Sequence, residues 1–381
     1  MRSVPFISCL ALLFSMASCR EAAPKNGAQE GTPGPMAHAL GFQLDNSGPY
    51  PVLAVTRPWP NAKKTFRYAF IPKDSMAGHD HAAAQYDAVV GTPVENLVVT
   101  STTHIPALEA LGGLTRLKGF PDTKYISSMP ARELIAKGDI KELGQNERLN
   151  VEMVLELRPD AVVGFAMDAN NASYELLSKA GIPVLYNGDW TEQTPLGKAE
   201  WIKFFGVLLG KEDQADRIFK DISANYRHIK ELAKEAKGMP TVLSGALYKD
   251  VWYLPAGESW AAQFIRDANA RYLWEDTQGT GSLSLSLESV LEKGREAEFW
   301  ISPSQFKSYA GMAEANEHYQ QFGAFHSKNI HTFSATVGPT GGLLFYELGP
   351  QRPDMILKDL VHIFHPELLP DYQPFFFKPL Q

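Results

Sequence analysis

Residues 149–163 read LNVEMVLELRPDAVV, and this stretch predicts a helix near residues 151–157 followed by a buried strand at residues 161–165. The same alternation of strand and helix recurs on both sides of it. Such alternation is typical of a mostly parallel sheet with helices on its faces. Further elements of this series are predicted at residues 96–100, 106–111, 173–180 and 183–186.

A second stretch, residues 286–292 (SLESVLE), repeats the pattern and leads to a predicted strand at residues 299–301. Both stretches contain the sequence Glu-x-Val-Leu-Glu, and each occupies the same place in its own series of helices and strands. The chain of 381 residues is also long enough to form two sizeable cores. We therefore predict two related lobes.

The longest helical pattern lies between the two series, at residues 214–237, where apolar residues recur at spacings of three and four. The predicted fold class is α/β, with two Rossmann-like lobes, each a mostly parallel sheet flanked by helices. The lobes are predicted at residues 47–210 and 238–381, and one long rigid helix at residues 211–237 joins them. Because a helix lacks the loop dihedrals that absorb large rotations, only a small hinge motion is expected.

Residues 1–19 have the features of a lipoprotein signal peptide. A short positive start precedes an apolar run at residues 4–14 that is too short to span a membrane, and small residues lead to Cys19. Cys9 is the other cysteine, so removal of the signal would leave no thiol outside the lipid attachment at Cys19. The alternative is a cytosolic protein with an apolar start.

A flexible tether is predicted after the signal, at residues 20–46. This stretch is rich in Gly, Pro, Ala and polar residues, so it has too little apolar surface to bury. Two strands are predicted next, at residues 50–56 and 65–71, and a loop that contains His79 and His81 follows them.

Composition and motifs exclude several classes of protein. The formal net charge is −7 and no concentrated basic face occurs, so a nucleic-acid partner is not expected. Residues 257–261 (GESWA) partly resemble a nucleophile elbow, but Leu-Pro-Ala separates the preceding strand from this segment, and Ala261 replaces the final Gly. No phosphate loop or dinucleotide fingerprint is present. We therefore do not expect Ser259 to be a nucleophile or the protein to be an enzyme. No resident cofactor is expected either.

At residues 149–163 and 285–291 the chain resembles the periplasmic binding proteins of ABC importers for ferric siderophores, haem and cobalamin. The resemblance covers residues 95–359, and residues 195–204 and 359–368 resemble the version found in Bacteroidetes. The resemblance implies an extracytoplasmic receptor, located in the periplasm or on the cell surface. Its only attachment to the bacterial membrane is expected to be a lipid anchor. Such a receptor delivers a metal chelate to an ABC permease dimer.

The resemblance also implies which residues dock on the permease. In this family one glutamate per lobe pairs with arginines of the permease dimer, and the matching positions here are Glu152 and Glu288. Two carboxylates held far apart on a rigid body set register and orientation through charge-assisted pairs. The alternative is that each is an ordinary first-turn glutamate that the helix dipole favours.

The ligand is expected in the cleft beyond the carboxyl ends of the strands, where aromatic rings suit a broad, partly apolar chelate. Trp252 and Tyr253 fit equally well in a hairpin that packs on its own lobe, and His104 also suits a helix cap. The predicted ligand-binding residues are Thr103, His104, Met167 and Trp190 in the first lobe and Trp252, Tyr253, Trp260 and Phe306 in the second. Further strand-end candidates are Thr102, Asp168, Asp189, Tyr248 and Gln305.

A ferric siderophore is the leading cargo, with cobalamin and haem as alternatives. His104 or Tyr125 fits the role of a haem ligand, and arginines such as Arg132 and Arg271 suit an anionic chelate. Family members that bind cobalamin tend to carry a Trp six residues before each docking glutamate. The corresponding residues here are Asn146 and Ser282, which disfavours a similar pose.

Two rival receptors are considered, and the second of them shares the two-lobed build. One is a surface lipoprotein that hands its ligand to an outer-membrane receptor. The other binds bare zinc or manganese, and zinc needs three or four converging N, O or S ligands. We predict no resident metal site, although candidate histidines exist at His79, His81, His104, His362 and His365.

Overall fold

The computed structural model describes residues 34–78 and 85–381. The predicted signal peptide with Cys19, most of the predicted tether, and His79 and His81 lie outside these residues. Within the described ranges, no helix combines the length and apolar character that a membrane span requires.

A five-stranded sheet, called here the N-terminal sheet, begins the described chain. Its strands lie in sequence order, and all pairs are antiparallel except β4 with β5, which are parallel. Tyr68 and Phe70 in β4 are fully buried, which matches the strand predicted for this stretch. The strands are β1 Gly34–Pro35, β2 Phe42–Asp45, β3 Val52–Val55, β4 Phe66–Pro72 and β5 Ala88–Thr92.

Residues 36–46 belong to the folded body, which corrects the tether predicted to extend to residue 46. Phe42 is fully buried, and its ring centroid lies 4.5 Å from that of Trp201. Two buried carboxylates hold the same segment through its backbone. Glu200 accepts hydrogen bonds of 2.7–3.2 Å from the N–H groups of residues 37–39, and Glu192 accepts bonds of 2.8–3.1 Å from those of residues 40 and 41.

The first lobe contains a five-stranded, all-parallel sheet in the order β12-β11-β6-β7-β8. Its central strands are buried on both faces, as expected where helices cover a parallel sheet. The strands are β6 Leu97–Val99, β7 Leu117–Phe120, β8 Lys141–Glu142, the hairpin β9 Gly144–Gln145 and β10 Arg148–Leu149, β11 Ala161–Gly164 and β12 Val184–Tyr186. The helices are α1 His104–Ala110, α2 Met129–Lys137, α3 Val151–Leu157, α4 Ala172–Lys179, α5 Pro195–Glu200 and α6 Ile202–Leu209.

Helix α7, Glu212–Ala233, has 22 residues and lies in the chain between the two parallel sheets. It begins two residues earlier and ends four residues earlier than the pattern at 214–237 predicts. Its buried face contains Phe219, Ile222, Tyr226 and Ile229. The helix contacts α6 of the first lobe and the last helix of the second.

The second lobe repeats the architecture, which confirms the predicted α/β fold class. Its main sheet has the order β16-β13-β18-β19-β20 and is parallel except for β20, and β14-β15-β17 form a separate antiparallel sheet. The strands are β13 Thr241–Ser244, β14 Ala246–Tyr248, β15 Val251–Pro255, β16 Arg271–Tyr272, β17 Ser282–Leu285, β18 Phe299–Ile301, β19 Ile330–Thr332 and β20 Lys378–Pro379. The helices are α8 Trp260–Asp267, α9 Leu287–Gly294, α10 Tyr309–Ala315, α11 Gly323–His326, α12 Leu344–Glu347 and α13 Pro353–Phe364.

The lobes also meet directly through a buried carboxylate. Glu347 at the end of α12 accepts hydrogen bonds from the backbone N–H groups of Ser127, at 2.6 Å, and Ser128, at 2.8 Å, where α2 begins. Burial raises the pKa of Glu347, and the two N–H donors oppose that shift. The Ser127 hydroxyl also donates to the carbonyl of Gly342 at 3.2 Å. These bonds fix the relative position of the lobes at one side of the junction.

Candidate ligand-binding cleft

The carboxyl ends of three first-lobe strands open into a cavity of about 270 Å³, called here the strand-end cavity. Thr100 follows β6, Phe120 ends β7 and Phe165 follows β11, and all three line it. Asn146, from the turn between β9 and β10, completes this side and donates to the carbonyl of Phe165 at 3.3 Å. The position agrees with the general rule for ligand sites in α/β sheets.

A second cavity, of about 700 Å³, lies between the lobes and is called here the aromatic cavity. Trp59 and Trp190 line it from the first half of the chain, and Trp260 lines it from the second lobe. The two cavities adjoin at a pair of rings, because the centroids of Phe165 and Trp190 are 5.5 Å apart. We call these two adjoining cavities together the cleft.

A tight turn after β12 positions Trp190. Residues Asp189–Thr191 form a single 3-10 turn directly after Gly188. A Cβ atom at Gly188 would lie only 2.2 Å from the carbonyl oxygen of Arg57, so this close approach requires glycine. The Trp190 Nε1 is buried without a hydrogen-bond partner among the described residues.

Trp260 is the first residue of α8, and the cap of that helix fixes it. The Ser259 hydroxyl accepts a hydrogen bond from the N–H of Ala262 at 3.2 Å and donates to the carbonyl of Ala256 at 2.6 Å. Ser259 therefore acts as an N-cap, in agreement with the expectation that it is no nucleophile. The Trp260 ring lies over the ammonium group of Lys198, at 5.2 Å from the centroid.

Several buried polar side chains lie behind Trp190, and Lys198 is one of them. Lys198 donates to the carbonyls of Asp189 and Trp190 at 3.2 and 3.1 Å, and burial lowers the pKa of Lys198 while Asp189 and Glu192 oppose that shift. Both ring nitrogens of His104, Nδ2 of Asn187 and Oδ1 of Asp189 are buried without partners in the described part of the chain. Buried polar atoms are normally satisfied, so this concentration indicates ordered water or a bound polar group.

The structure corrects two of the predicted ligand-binding residues. His104 is fully buried beneath the cleft, its ring lies against Phe205, and burial lowers its pKa to about 4. Trp252 is fully buried in the second-lobe core, where it stacks on Trp300 with centroids 5.3 Å apart. Its Nε1 donates to the carbonyl of Ser244 at 3.0 Å. Neither side chain is exposed to the cleft.

The other candidates divide into two groups. Trp190 and Trp260 line the aromatic cavity, and Thr102 lines the strand-end cavity one residue before Thr103. Their role in binding stays a prediction. Among the remaining candidates, Met167 is 69% exposed, Tyr253 is 43% exposed and Phe306 packs edge-on against Tyr319. The candidates that line neither cavity are Thr103, Met167, Asp168, Asp189, Tyr248, Tyr253, Gln305 and Phe306.

The residues predicted to bind haem iron or an anionic chelate also lie in different places. Tyr125 is exposed and lines the strand-end cavity. Arg132 uses one guanidinium nitrogen to donate to the carbonyl of Thr123 at 2.7 Å. Arg271 pairs with the first residue of β13, at the edge of the sheet opposite the carboxyl ends, so it lies away from the cleft.

The histidines considered for bare zinc do not converge within the described residues. His362 Nδ1 lies 2.9 Å from the carbonyl oxygen of Leu369, and His365 Nε2 lies 3.1 Å from that of Ala268. No group of three or more His, Cys, Asp or Glu side chains is arranged as metal ligands in the part of the chain that the structure describes.

Glu152 and Glu288 occupy equivalent places in the two lobes. Each is exposed in the first turn of its helix, after an N-cap residue. Asn150 accepts from the N–H of Met153 at 3.1 Å, and Ser286 accepts from that of Ser289 at 3.3 Å. Hydrogen bonds from its own backbone N–H and from Ser286 lower the pKa of Glu288.

The fold defines the class of protein, a two-lobed α/β solute-binding protein, and such proteins offer a cleft between their sheets as the candidate ligand site. Residues 97–333 match the family model described as periplasmic binding protein, and the chain belongs to that family. Members of this family bind solutes and are not enzymes. The N-terminal sheet precedes the matched residues.

Individual relatives agree with this assignment. An uncharacterized lipoprotein of Methanocaldococcus jannaschii is 26% identical over 300 residues, which cover 76% of this chain and 69% of the relative. A possible iron-binding (periplasmic solute-binding) protein of Staphylococcus epidermidis has a TM-score of 0.57 at 19% identity and covers 72% of this chain and 100% of its own. A periplasmic heme-binding protein of Roseiflexus sp. RS-1 has a TM-score of 0.55 at 19% identity, with 72% and 99% covered. At these identities the solved structures show a shared fold.

Proposed function

We propose that this protein is a lipid-anchored, extracytoplasmic receptor of an ABC importer and that it binds a ferric siderophore in the cleft between its lobes. The observation that carries the proposal is the aromatic cavity of about 700 Å³, which three indole rings line. A cavity of this size is within the range of small-molecule sites and far larger than a bare ion requires. Indole rings add large contact area at a small cost in side-chain entropy.

The types of side chain in the cleft favour a metal chelate as the cargo over a free metal ion. A zinc receptor presents three or four converging N, O or S ligands, and the described residues offer no such group. The aromatic cavity instead offers the indole rings of Trp59, Trp190 and Trp260. Such a surface recognises the organic periphery of a complex whose metal is already coordinated.

Haem is the second candidate, because one residue favours it. Tyr125 is 55% exposed and lines the strand-end cavity, so its phenol oxygen is accessible to an iron atom held there. Cobalamin is the third candidate, and no residue of the cleft favours it. Structural relatives whose names include heme or Fe3+-hydroxamate are consistent with the first two candidates.

The docking and anchoring parts of the proposal use residues outside the cleft. Glu152 and Glu288 would pair with basic residues of the permease dimer, and their matching first-turn positions in the two lobes support this role. Cys19 would carry the lipid.

Replacing Trp190 or Trp260 by alanine is expected to weaken chelate binding about tenfold to a hundredfold, because aromatic residues that fill a binding site typically contribute about 2 kcal/mol. Isothermal titration calorimetry should be used, since it does not depend on tryptophan emission. Phe375→Ala is the matched control, because Phe375 is an exposed aromatic residue outside both cavities. Unchanged affinity in both tryptophan variants would place the cargo elsewhere.

A further inference from the structure

A loop of the second lobe lies directly against the first lobe. This loop, called here the clasp loop, comprises residues 337–343 between β19 and α12, and an antiparallel bridge closes its base. A Cβ atom at Gly342 would lie only 2.6 Å from the carbonyl oxygen of Tyr125. A Cβ atom at Gly338 would lie only 2.5 Å from the side chain of Ser127. The close contact of the two lobes here therefore depends on glycine at both positions.

Hydrogen bonds join the lobes at the same contact. Glu347, which ends α12 just after the clasp loop, accepts from the backbone N–H groups of Ser127 and Ser128 at 2.6 and 2.8 Å. The hydroxyl of Thr340, within the clasp loop, donates to the carbonyl of Lys124 at 2.5 Å. The first-lobe partners all belong to residues 124–128, between β7 and α2. Because these bonds connect loops and helix ends, their separation leaves both parallel sheets intact.

Backbone amides, not a cation, hold the carboxylate of Glu347. Its side chain is only 3% exposed and forms no ion pair within the described residues. Arg352 lines the same cavity but pairs with Asp354 through two nitrogens at 2.9 Å. The nearby acid Glu109 accepts from the Ser128 hydroxyl at 2.6 Å. The two N–H bonds offset the cost of burying this carboxylate only while the lobes touch, so the contact is reversible.

The contact borders the candidate ligand site. Tyr125 lines the strand-end cavity, and the clasp loop lies against its backbone carbonyl. Helix α7 joins the lobes covalently whether or not these hydrogen bonds are formed. The clasp loop and Glu347 are therefore a second, reversible connection between the lobes, and its opening moves one wall of the cavity.

We propose that Glu347 and the clasp loop gate the cleft, so that cargo enters and leaves when their bonds to the first lobe break. The inference rests on the proposed function and concerns the regulation of the same site. A gate acts on both directions of exchange. Weakening it is expected to speed association and dissociation together and to change the dissociation constant much less than either rate.

The first test measures the separation of the lobes without any cargo. Spin labels on Glu133→Cys in α2 and Glu314→Cys in α10 report the distance between the lobes by double electron–electron resonance, because both glutamates are exposed. The full chain is used with Cys9 and Cys19 replaced by serine, which removes its only other thiols. Opening at the clasp loop is expected to appear as a population with a longer distance.

Two variants weaken the contact by different means. Glu347→Gln places an amide donor against one of the two N–H groups, so only one of the bonds survives. Gly342→Ala introduces a clash with the first lobe and leaves Glu347 unchanged. The matched control is Asp160→Asn, because Asp160 also accepts from two backbone N–H groups, those of residues 95 and 96, at 2.6 and 3.0 Å, but within the first lobe. Both clasp variants, and not the control, are expected to show the longer distance.

The second test measures the exchange of ferric enterobactin, ferrichrome, haem and cyanocobalamin by stopped-flow fluorescence. For a chelate that binds the wild type, both clasp variants are expected to raise the association and dissociation rate constants about tenfold, the effect of losing one hydrogen bond to a charged group. Asp160→Asn is expected to keep the rate constants of the wild type.

The outcomes separate the gate from the receptor. Wild-type distances in both clasp variants would show that the contact does not hold the lobes together, and chelate binding would still support the receptor. Faster dissociation with unchanged association would also contradict the gate, because Glu347 would then stabilise the bound cargo. If none of the four chelates binds the wild type, the proposed function is wrong, and the distances alone decide whether the clasp loop holds the lobes together.

Discussion

Reversing the charge of both Glu152 and Glu288 to lysine is expected to reduce chelate uptake by about a hundredfold or more while leaving chelate affinity unchanged. Both carboxylates are exposed in the first turns of their helices and away from the cavity linings. Two like-charge contacts with permease arginines would replace two attractive ones, and each such replacement costs several kcal/mol at an interface. Uptake of iron-55-labelled chelate into proteoliposomes or cells is the measurement.

The control for this experiment is Glu175→Lys with Glu314→Lys. These two glutamates are also exposed on helices, one in each lobe, but they lie on α4 and α10. Loss of uptake in both double variants would indicate a general charge effect. Normal uptake in the Glu152 and Glu288 variant would rule out the docking role and leave both residues as first-turn glutamates that the helix dipole favours.

Replacing His104 by leucine is expected to make the protein about 2 kcal/mol less sensitive to acid between pH 7 and pH 4.5. Burial lowers the pKa of His104 from 6.5 to about 4 in the folded state. Between these values the unfolded chain binds the proton and the folded chain does not, so the stability of the wild type falls as the pH falls through this window. Leucine has no proton to bind, so this contribution disappears.

Urea unfolding of the wild type and of His104→Leu at pH 7 and pH 4.5 measures this effect. For each protein the free energy of unfolding at pH 4.5 is subtracted from that at pH 7, and the two changes are compared. His331, whose pKa burial also lowers to about 4, contributes equally to both proteins and cancels. His326→Leu is the control, because His326 is exposed. If acidification lowers the free energy of unfolding of the two proteins equally, the folded wild type also binds a proton at His104. The pKa of His104 would then not be lowered by burial.

The sequence was sufficient to predict the fold because the signal is local and repeated. The two Glu-x-Val-Leu-Glu stretches form helices α3 and α9, each followed by a strand of a parallel sheet. Trp190 follows a strand and Trp260 begins a helix. Both could be predicted at the cleft, because the carboxyl ends of parallel strands meet at one edge of a sheet and the loops and helix starts after them lie there.

The mistakes concern which way a side chain points. Trp252 and Tyr253 are neighbours in β15, and successive residues of a strand face opposite sides. Trp252 points into the core and Tyr253 outward, and composition alone does not decide between the two registers. His104 is expected at the cleft because it follows the strand predicted at residues 96–100, but in the structure it begins α1 and its ring lies against Phe205.

The features that the sequence did not reveal depend on contacts between distant residues. The segment 36–41 folds because carboxylates more than 150 residues away bind its N–H groups. Arg57 reaches the cleft because its loop docks on the turn at Thr191. Neither contact leaves a periodic pattern, although the tryptophan between prolines at residues 58–60 is a local sign of a stiff, anchored loop.

The most direct test of the central claim is isothermal titration calorimetry of the purified protein with ferric siderophores, haem, cyanocobalamin and free Zn²⁺. We expect one chelate to bind with one-to-one stoichiometry and a dissociation constant below about 1 μM, and free Zn²⁺ to bind at least a hundredfold more weakly. Tight binding of Zn²⁺ with no response to any chelate would contradict the account and place the protein among the bare-metal receptors.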